Sequence, residues 1–329
     1  MTGPTRITVL GANSFAGRCF VATALAQGFQ VQGISRSEYP SEPFQLWGKA
    51  NGYHFLQLDL NRDLEAIVEA LSHFRPRFVV DFAGQGMVAE SWQAPEQWYQ
   101  TNVVAKARLI QACKELDSLE KYIRVSTPEV YGSHEQAIDE TAIFNPSTPY
   151  AVSHAAIDMH LLAYYRQFGF PAVLTRFANF YGPGQQLYRI IPRTVIFSRL
   201  GRKLPLHGGG KAERAFIYGS DVASALMAVI ERGQVGETYH FSGDGIVSIR
   251  DLVARICGHL DADFEAFVKQ TEDRPGKDAR YLMSDAKARD ALGWSPEVSL
   301  DQGIASTITW VDQHWSALMN ESLNYQHKP

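Results

Sequence analysis

Ile7-Thr8-Val9-Leu10-Gly11-Ala12-Asn13-Ser14-Phe15-Ala16-Gly17 runs from a short apolar strand pattern into a glycine-bearing turn and then into a helical pattern. Glycine in such a turn lets backbone N–H groups approach a pyrophosphate lodged at the positive end of the following helix. Gly11, Ser14, Phe15 and Gly17 are therefore the first candidate cofactor contacts. Ser14 stands where loops of this kind commonly carry a further glycine, and it is small enough to sit beside a phosphate. The strand before and the helix after supply the context that the loop requires.

The same alternation continues outward. Apolar runs at 6–10, 29–34, 53–58, 78–82, 121–126 and 171–176 read as strands, with helical patterns at 15–27, 63–73, 95–116 and 149–168 between them. That order predicts an α/β protein built on a doubly wound, parallel Rossmann-type sheet. After residue 176 glycine and proline become dense, around Tyr181-Gly182-Pro183-Gly184 and His207-Gly208-Gly209-Gly210. A helix from Asp221 to Arg232 and a strand at 237–241 can return to the sheet, whereas helical patterns at 248–260, 284–292 and 300–314 predict a smaller cap. The expected division is a dinucleotide-binding part, 1–176 with 212–241 returning to it, and a substrate-binding α/β part, 177–211 with 242–329. No low-complexity linker separates them, so the two parts are expected to share one cleft.

Bulk properties narrow the classes of function. A 329-residue chain with 45% hydrophobic and 20% charged residues is ordinary for a soluble globular protein. A net charge of −4 without a long basic run gives no support for nucleic-acid binding. No uncharged apolar stretch is long enough to predict a membrane span, and no signal peptide is visible before the first strand. Cys19, Cys113 and Cys257 are far apart, which predicts no metal site and fits a reducing cytoplasm.

The end of the second predicted strand reads Gly33-Ile34-Ser35-Arg36-Ser37. An acidic residue there would favour NAD, whereas Arg36 flanked by serines suits the 2′-phosphate of NADP. The expected cofactor is NADP or NAD, with NADP favoured. Asp59 and Leu60 are placed to border the adenine, and Ala83 to let the backbone pass close to the cofactor.

Ser126-Thr127-Pro128-Glu129-Val130-Tyr131-Gly132 follows the fifth strand, at the edge where ligands of such sheets gather. Thr127 can hydrogen-bond a reacting hydroxyl, and Glu129 offers a carboxylate base. Further on, Ser147 can cap a helix with Pro149 in its first turn and Gly169 after its last. Tyr150 and His154 then lie one helical turn apart on one face. A tyrosine titrates near ~10, so its anion needs a stabilising partner at neutral pH. His154 can be that partner as an imidazolium, which requires its pKa to be raised.

The succession of glycine loop, Ser126-Thr127-x-Glu129-Val130-Tyr131-Gly132, Pro149-Tyr150 and Arg176-Phe177-x-Asn179-x-Tyr181-Gly182-Pro183 resembles the extended short-chain dehydrogenases that modify nucleotide sugars. Within them it most resembles the nucleotide-sugar 4,6-dehydratases. The likeness continues through Arg214, Asp221, Arg274 and Leu292-Gly293-Trp294. It implies that Tyr150 takes the sugar 4-hydroxyl proton, that Glu129 removes the proton from C5, and that water leaves from C6. It implies diphosphate contacts by Asn179, Arg214 and Arg274, with Arg189 and Arg193 as weaker candidates, and a homodimer formed on helices 95–116 and 149–168. Members commonly have a lysine where His154 stands, and the dTDP-glucose enzymes have an aspartate where Pro128 stands and Glu-Ser-His where Gln85-Gly86-Met87 stands. These departures keep two other expectations open: a 4-epimerase or reductase on the same substrate class, and a dinucleotide-binding sensor or scaffold that has lost turnover.

Overall fold

The computed structural model describes residues 4–48, 50–243, 245–272 and 282–328. Seven strands form one sheet: β1 (Arg6–Leu10), β2 (Gln30–Ser35), β3 (Tyr53–Gln57), β4 (Phe78–Asp81), β5 (Lys121–Ser126), β6 (Ala172–Phe177) and β7 (Thr238–Phe241). Their order is β3-β2-β1-β4-β5-β6-β7, every pairing is parallel, and Val9 sits between Gly33 and Val80. The strand order reverses between β1 and β4, which opens a crevice at their carboxyl ends. Both faces of the sheet are buried. Ile7 and Val9 enter the core on one side and Leu10 the core on the other, as the two-residue period of a strand requires.

Helices α1 (Phe15–Ala26), α2 (Leu64–Phe74), α3 (Lys106–Cys113) and α4 (Pro149–Phe168) follow the sheet strands in turn. Further along lie α5 (Ile190–Arg199), α6 (Gly219–Arg232), α7 (Ile249–His259), α8 (Ala286–Leu292) and α9 (Leu300–Gln313). Phe20 and Val21 of α1 and Val222 and Leu226 of α6 fill the first core. Ile67, Leu109, Ile157 and Leu161 from α2, α3 and α4 fill the second. A third core, with Ile191, Val195, Leu252, Ile256, Ile304 and Val311, joins α5, α7 and α9 into the smaller part. Arg18 ties the parts together by donating to the carbonyls of Phe44 (3.0 Å) and Gly184 (2.7 Å) from a buried position.

Three expectations need correction. Thr148, not Ser147, caps α4, because its hydroxyl accepts from the Ala151 N–H and Pro149 then takes the first helical position. The stretch expected as one helix over 95–116 is a short helix Pro95–Tyr99, a π-helical turn Gln100–Ala105 and then α3. The wide turn carries Asn102, whose amide bonds both the N–H (2.7 Å) and the carbonyl (3.1 Å) of Gln85. Finally, α8 does not belong to the cap. Ala288, Leu292 and the following Trp294 pack into the first sheet core, with Trp294 edge-on to Phe241 and donating to Ser224 Oγ at 3.0 Å.

Gly11 fixes where the switch-point loop can run. Its φ is +71°, and a Cβ there would meet the Ala83 backbone N at 2.7 Å. Gly11→Ala therefore combines a left-handed backbone with a collision against the chain after β4. We expect a loss of stability of roughly 1–3 kcal/mol in chemical denaturation, and weaker nicotinamide dinucleotide binding in the surviving folded fraction.

Candidate active site

The carboxyl ends of the sheet strands and the smaller part enclose a cleft of ≈ 870 Å³. Its walls include Gly11, Ser14, Phe15, Arg36, Asp59, Leu60, Ala83, Thr127, Glu129, Tyr150, His154, Asn179 and Arg214, so these candidates are brought together. Gly17 lies beneath the loop, where a Cβ would meet the Gly11 carbonyl oxygen at 2.5 Å, and so acts through packing. Arg274 lies outside the described residues.

Ser14 has a structural reason to replace glycine. It is the N-cap of α1 with φ −65°, and its hydroxyl accepts from the Gly17 N–H at 3.0 Å. The first-turn amides of α1 border the cleft at Phe15 and Ala16. Asn13 is a residue that sequence reading missed. Its N–H donates to Ser35 Oγ (2.9 Å), and its amide donates to the carbonyls of Ser37 (3.1 Å) and Glu38 (2.6 Å). These bonds lash the loop carrying Arg36 to the glycine turn. An asparagine within a glycine loop, opposite a serine-rich strand end, was the available signal. Asp59 uses one carboxylate oxygen to accept from the Asn61 N–H at 2.7 Å.

Thr127 is the N-cap of the short 3-10 helix Pro128–Tyr131, and its hydroxyl accepts from the Glu129 N–H at 3.3 Å. Pro128 occupies the first position of that helix, where an N–H would have no helical partner. Tyr150 is pushed up to about 12, by burial first and by the Glu129 carboxylate second, while a Thr127 hydrogen bond and the charges of Arg124 and Arg189 oppose the rise. The tyrosine, the threonine, the glutamate and two arginines therefore act on one another across the same cleft.

His154 stacks obliquely on Tyr150 with ring centroids 4.5 Å apart. Its Nδ1 lies 3.0 Å from Nη2 of the buried Arg124. Guanidinium nitrogens only donate, so Nδ1 is the acceptor and the ring is neutral. Burial first, then the Arg124, Lys106 and Arg176 charges, lower its pKa well below the ordinary value. The expected imidazolium is thus disfavoured, because a cation already stands at Nδ1.

Beneath His154 lies a buried ionic cluster that the sequence did not reveal. Asp81 accepts from Lys106 Nζ and from the Tyr122 hydroxyl (2.9 Å), with Arg124 Nη1 at 3.6 Å. Asp158 accepts from Arg176 Nη2 (2.9 Å) and from Ser126 Oγ (2.6 Å), with Arg124 Nε at 4.0 Å.

On the substrate side, Asn179 is bound through its amide to the Ala215 carbonyl (3.3 Å), and Arg214 Nη1 donates to the Glu213 carbonyl (2.7 Å). Arg189 and Arg193 also line the cleft, as do Gln85, Gly86, Met87 and Glu90. Tyr325 was missed as well. It reaches the cleft from the C-terminal segment and packs edge-on against Tyr188. Among the described residues no group of three His, Cys, Asp or Glu side chains could hold a metal, and no helix is long and apolar enough to cross a membrane.

A tyrosine-bearing helix beside the switch point of such a sheet places the chain among the extended short-chain dehydrogenases/reductases. A family model described as GDP-mannose 4,6 dehydratase matches residues 8–307, and the chain belongs to that family. It is 31% identical over 330 residues to a dTDP-glucose 4,6-dehydratase of Xanthomonas campestris pv. campestris, covering 93% of each chain. A probable dTDP-glucose 4,6-dehydratase of Sinorhizobium fredii is 33% identical over 328 residues, covering 93% of this chain and 92% of its own. The crystal structure of a dTDP-glucose 4,6-dehydratase from Streptomyces venezuelae with NAD and TYD bound superposes with a TM-score of 0.88 at 29% identity, covering 95% of this chain and 98% of the other.

Two buried histidines make this fold sensitive to acid. His154 is held neutral as described, and His240 is lowered to about 3, by burial first and Arg176 second. A histidine whose folded pKa is depressed contributes stability that is present above the unfolded value near ~6.5 and lost as pH falls through the folded value. Unfolding free energy should therefore decline from about pH 6.5 downward. His240→Gln should flatten that decline in denaturant titrations at pH 7 and pH 5.

Proposed function

We propose that the protein is a nucleotide-sugar 4,6-dehydratase, converting its substrate to the 4-keto-6-deoxy sugar nucleotide. The observation that carries this reading is Glu129, a carboxylate on the cleft wall close enough to Tyr150 to raise its pKa. Oxidation at C4 needs only the tyrosine, whereas elimination across C5–C6 also needs a base for the C5 proton.

The residues fit a nicotinamide dinucleotide. Gly11 leaves room that a Cβ would fill, and Ser14, Phe15 and Ala16 present the N-terminus of α1 to the same space. Bound there, a nicotinamide dinucleotide supplies acceptance of hydride from C4 and its return to C6. Tyr150 takes the proton of the 4-hydroxyl, with Thr127 bonding the same oxygen and holding Glu129 in place through its N–H. The C4 ketone acidifies C5–H, and Glu129 receives that proton. Pro128 has no proton to give, so the protonated Glu129 also serves as the acid for the departing C6 hydroxyl, and C5 takes a new proton from solvent when hydride is returned to C6. Asn179, Arg214, Arg189 and Arg193 line the cleft where the diphosphate would lie, and guanidinium geometry suits bidentate contact there; Arg274, outside the described residues, is a contact implied by the resemblance alone. The division of labour follows 1–176 with 212–241 for the dinucleotide, and 177–211 with 242–329 for the nucleotide sugar, except that α8 and Trp294 pack on the sheet core.

NADP is the preferred form of the cofactor in this reading, because Arg36 stands where an acidic residue would select NAD. A homodimer is supported by large apolar side chains left exposed on the expected face, including Tyr99, Val104, Val152 and Met159. Val152 and Met159 are seven residues apart on α4 and so share one face.

Incubation with a panel of nucleotide sugars in D2O tests the reaction. A product that has lost water and gained one deuterium at C5 is expected, and an isobaric product would replace the dehydratase reading with an epimerase. Absence of turnover with cofactor still bound would replace it with a sensor. Glu129→Gln should cut turnover by about 10²–10⁴-fold while C4 oxidation persists, visible as accumulated reduced cofactor. Arg36→Asp should reverse the preference between NADP and NAD, measured as the ratio of their dissociation constants.

A further inference from the structure

Position 154 carries no charge in this fold, yet a fixed cation stands directly behind it. Arg124 projects from β5 and lines the cleft, and its side chain is almost wholly withdrawn from water. It donates to His154 Nδ1 at 3.0 Å, and the His154 ring lies 4.5 Å from that of Tyr150. Asp81 and Asp158 hold the guanidinium from two sides, at 3.6 Å and 4.0 Å. Nε2 of His154 makes no hydrogen bond of ordinary geometry among the described residues, so it is the nitrogen left to carry the proton while Nδ1 accepts from Arg124. The proton of the neutral ring therefore resides on Nε2.

We propose that Arg124 is the permanent positive charge of the acid–base site, set against Tyr150 through a neutral His154 in its Nε2–H tautomer. The proposal rests on the dehydratase reading for the chemistry that it serves, but not for the arrangement of charge. Arg124 is a positioning residue: it fixes the tautomer of His154 and lowers the energy of the Tyr150 anion, without touching substrate. The groups facing Tyr150 are Glu129, which opposes its ionisation, and Thr127, Arg124 and Arg189, which favour it. The groups facing His154 are Tyr150, whose ring stacks on it, and the basic side chains Arg124, Lys106 and Arg176, of which Lys106 is itself lowered to about 7 by burial first and Arg124 second.

One consequence separates this arrangement from a simple exchange of lysine for histidine. His154→Lys would drive an ammonium against the Arg124 guanidinium in a site with little water, and the two charges would repel. The same lysine should be accepted once Arg124 is made neutral. Arg124→Leu leaves each carboxylate with a cation of its own, Lys106 on Asp81 and Arg176 on Asp158, so the fold should survive.

The first test is 15N NMR of the full chain labelled in histidine, with the His154 signals assigned by their loss in His154→Gln. A neutral ring with its proton on Nε2 from pH 5 to pH 8 (roughly the range in which ordinary histidines titrate) is expected. An imidazolium forming near the ordinary histidine pKa would overturn the proposal, whether or not the protein turns over any sugar. The second test follows dTDP-glucose oxidation at C4 against pH. Arg124→Leu should move the rise in rate with pH upward by about one unit, a roughly tenfold loss at neutral pH, and Arg124→Lys should recover most of it. His154→Lys alone should lose at least about tenfold, and His154→Lys combined with Arg124→Leu should regain activity. Full activity in His154→Lys alone, or an unmoved pH profile in Arg124→Leu, would sink the proposal. If neither the wild-type protein nor any variant oxidises dTDP-glucose or any other sugar of the panel, the dehydratase reading fails and the NMR result alone decides the charge arrangement.

Discussion

Two carboxylates and three basic side chains, all withdrawn from water, lie between the sheet and helix α4. Charges buried this way give little net stability as a set, but breaking one pair leaves an uncompensated ion at a cost of about 3–5 kcal/mol. The cluster therefore behaves as a rigid key. Asp81 ends β4, Arg124 and Ser126 belong to β5, Arg176 to β6, Lys106 to α3 and Asp158 to α4, so one arrangement of charge fixes five elements at once. Tyr150 and His154 stand on the helix that this arrangement locates.

The second constraint is close approach. Gly11 and Gly84 both adopt positive φ, and added Cβ atoms would meet Ala83 N at 2.7 Å and Asn102 Oδ1 at 2.8 Å. Backbone thus passes near backbone at Gly11 and against the Asn102 side chain at Gly84, which leaves a narrow crevice suited to a dinucleotide. Asn13 and Asn102 then hold these loops with side-chain amides, each bonding main-chain groups remote in sequence. The smaller part closes the cleft without its own large sheet, relying on the core between α5, α7 and α9 and on the Arg18 tie.

Most of the scaffold was legible because strand and helix periods are local properties. The six strands expected in the first 176 residues appear in place, and the strand expected at 237–241 does return to the sheet beside β6. Errors arose where tertiary contacts outrank local pattern. The helix at 286–292 has a face formed by Ala288 and Leu292 that fits either core, and only the packing of Trp294 against Phe241 assigns it to the sheet. The π-helical turn at Gln100–Ala105 left no local signal, and the bonding of its Asn102 to Gln85 joins residues 17 apart.

The site divides along the same line. By itself the sequence determined the doubly wound sheet, the glycine loop, and the positions of Thr127, Glu129 and Tyr150, since each follows from residue type and spacing near a strand end. It also exposed the departures at Ser14, Pro128 and His154. Tertiary structure alone decided what those departures mean. Ser14 and Pro128 became helix-terminus residues with ordinary local reasons. His154 changed from a candidate imidazolium to a neutral ring, because Arg124, 30 residues earlier, reaches Nδ1 at 3.0 Å. Protonation depends on burial and on neighbouring charge, and both belong to the folded arrangement of strands rather than to any stretch of chain.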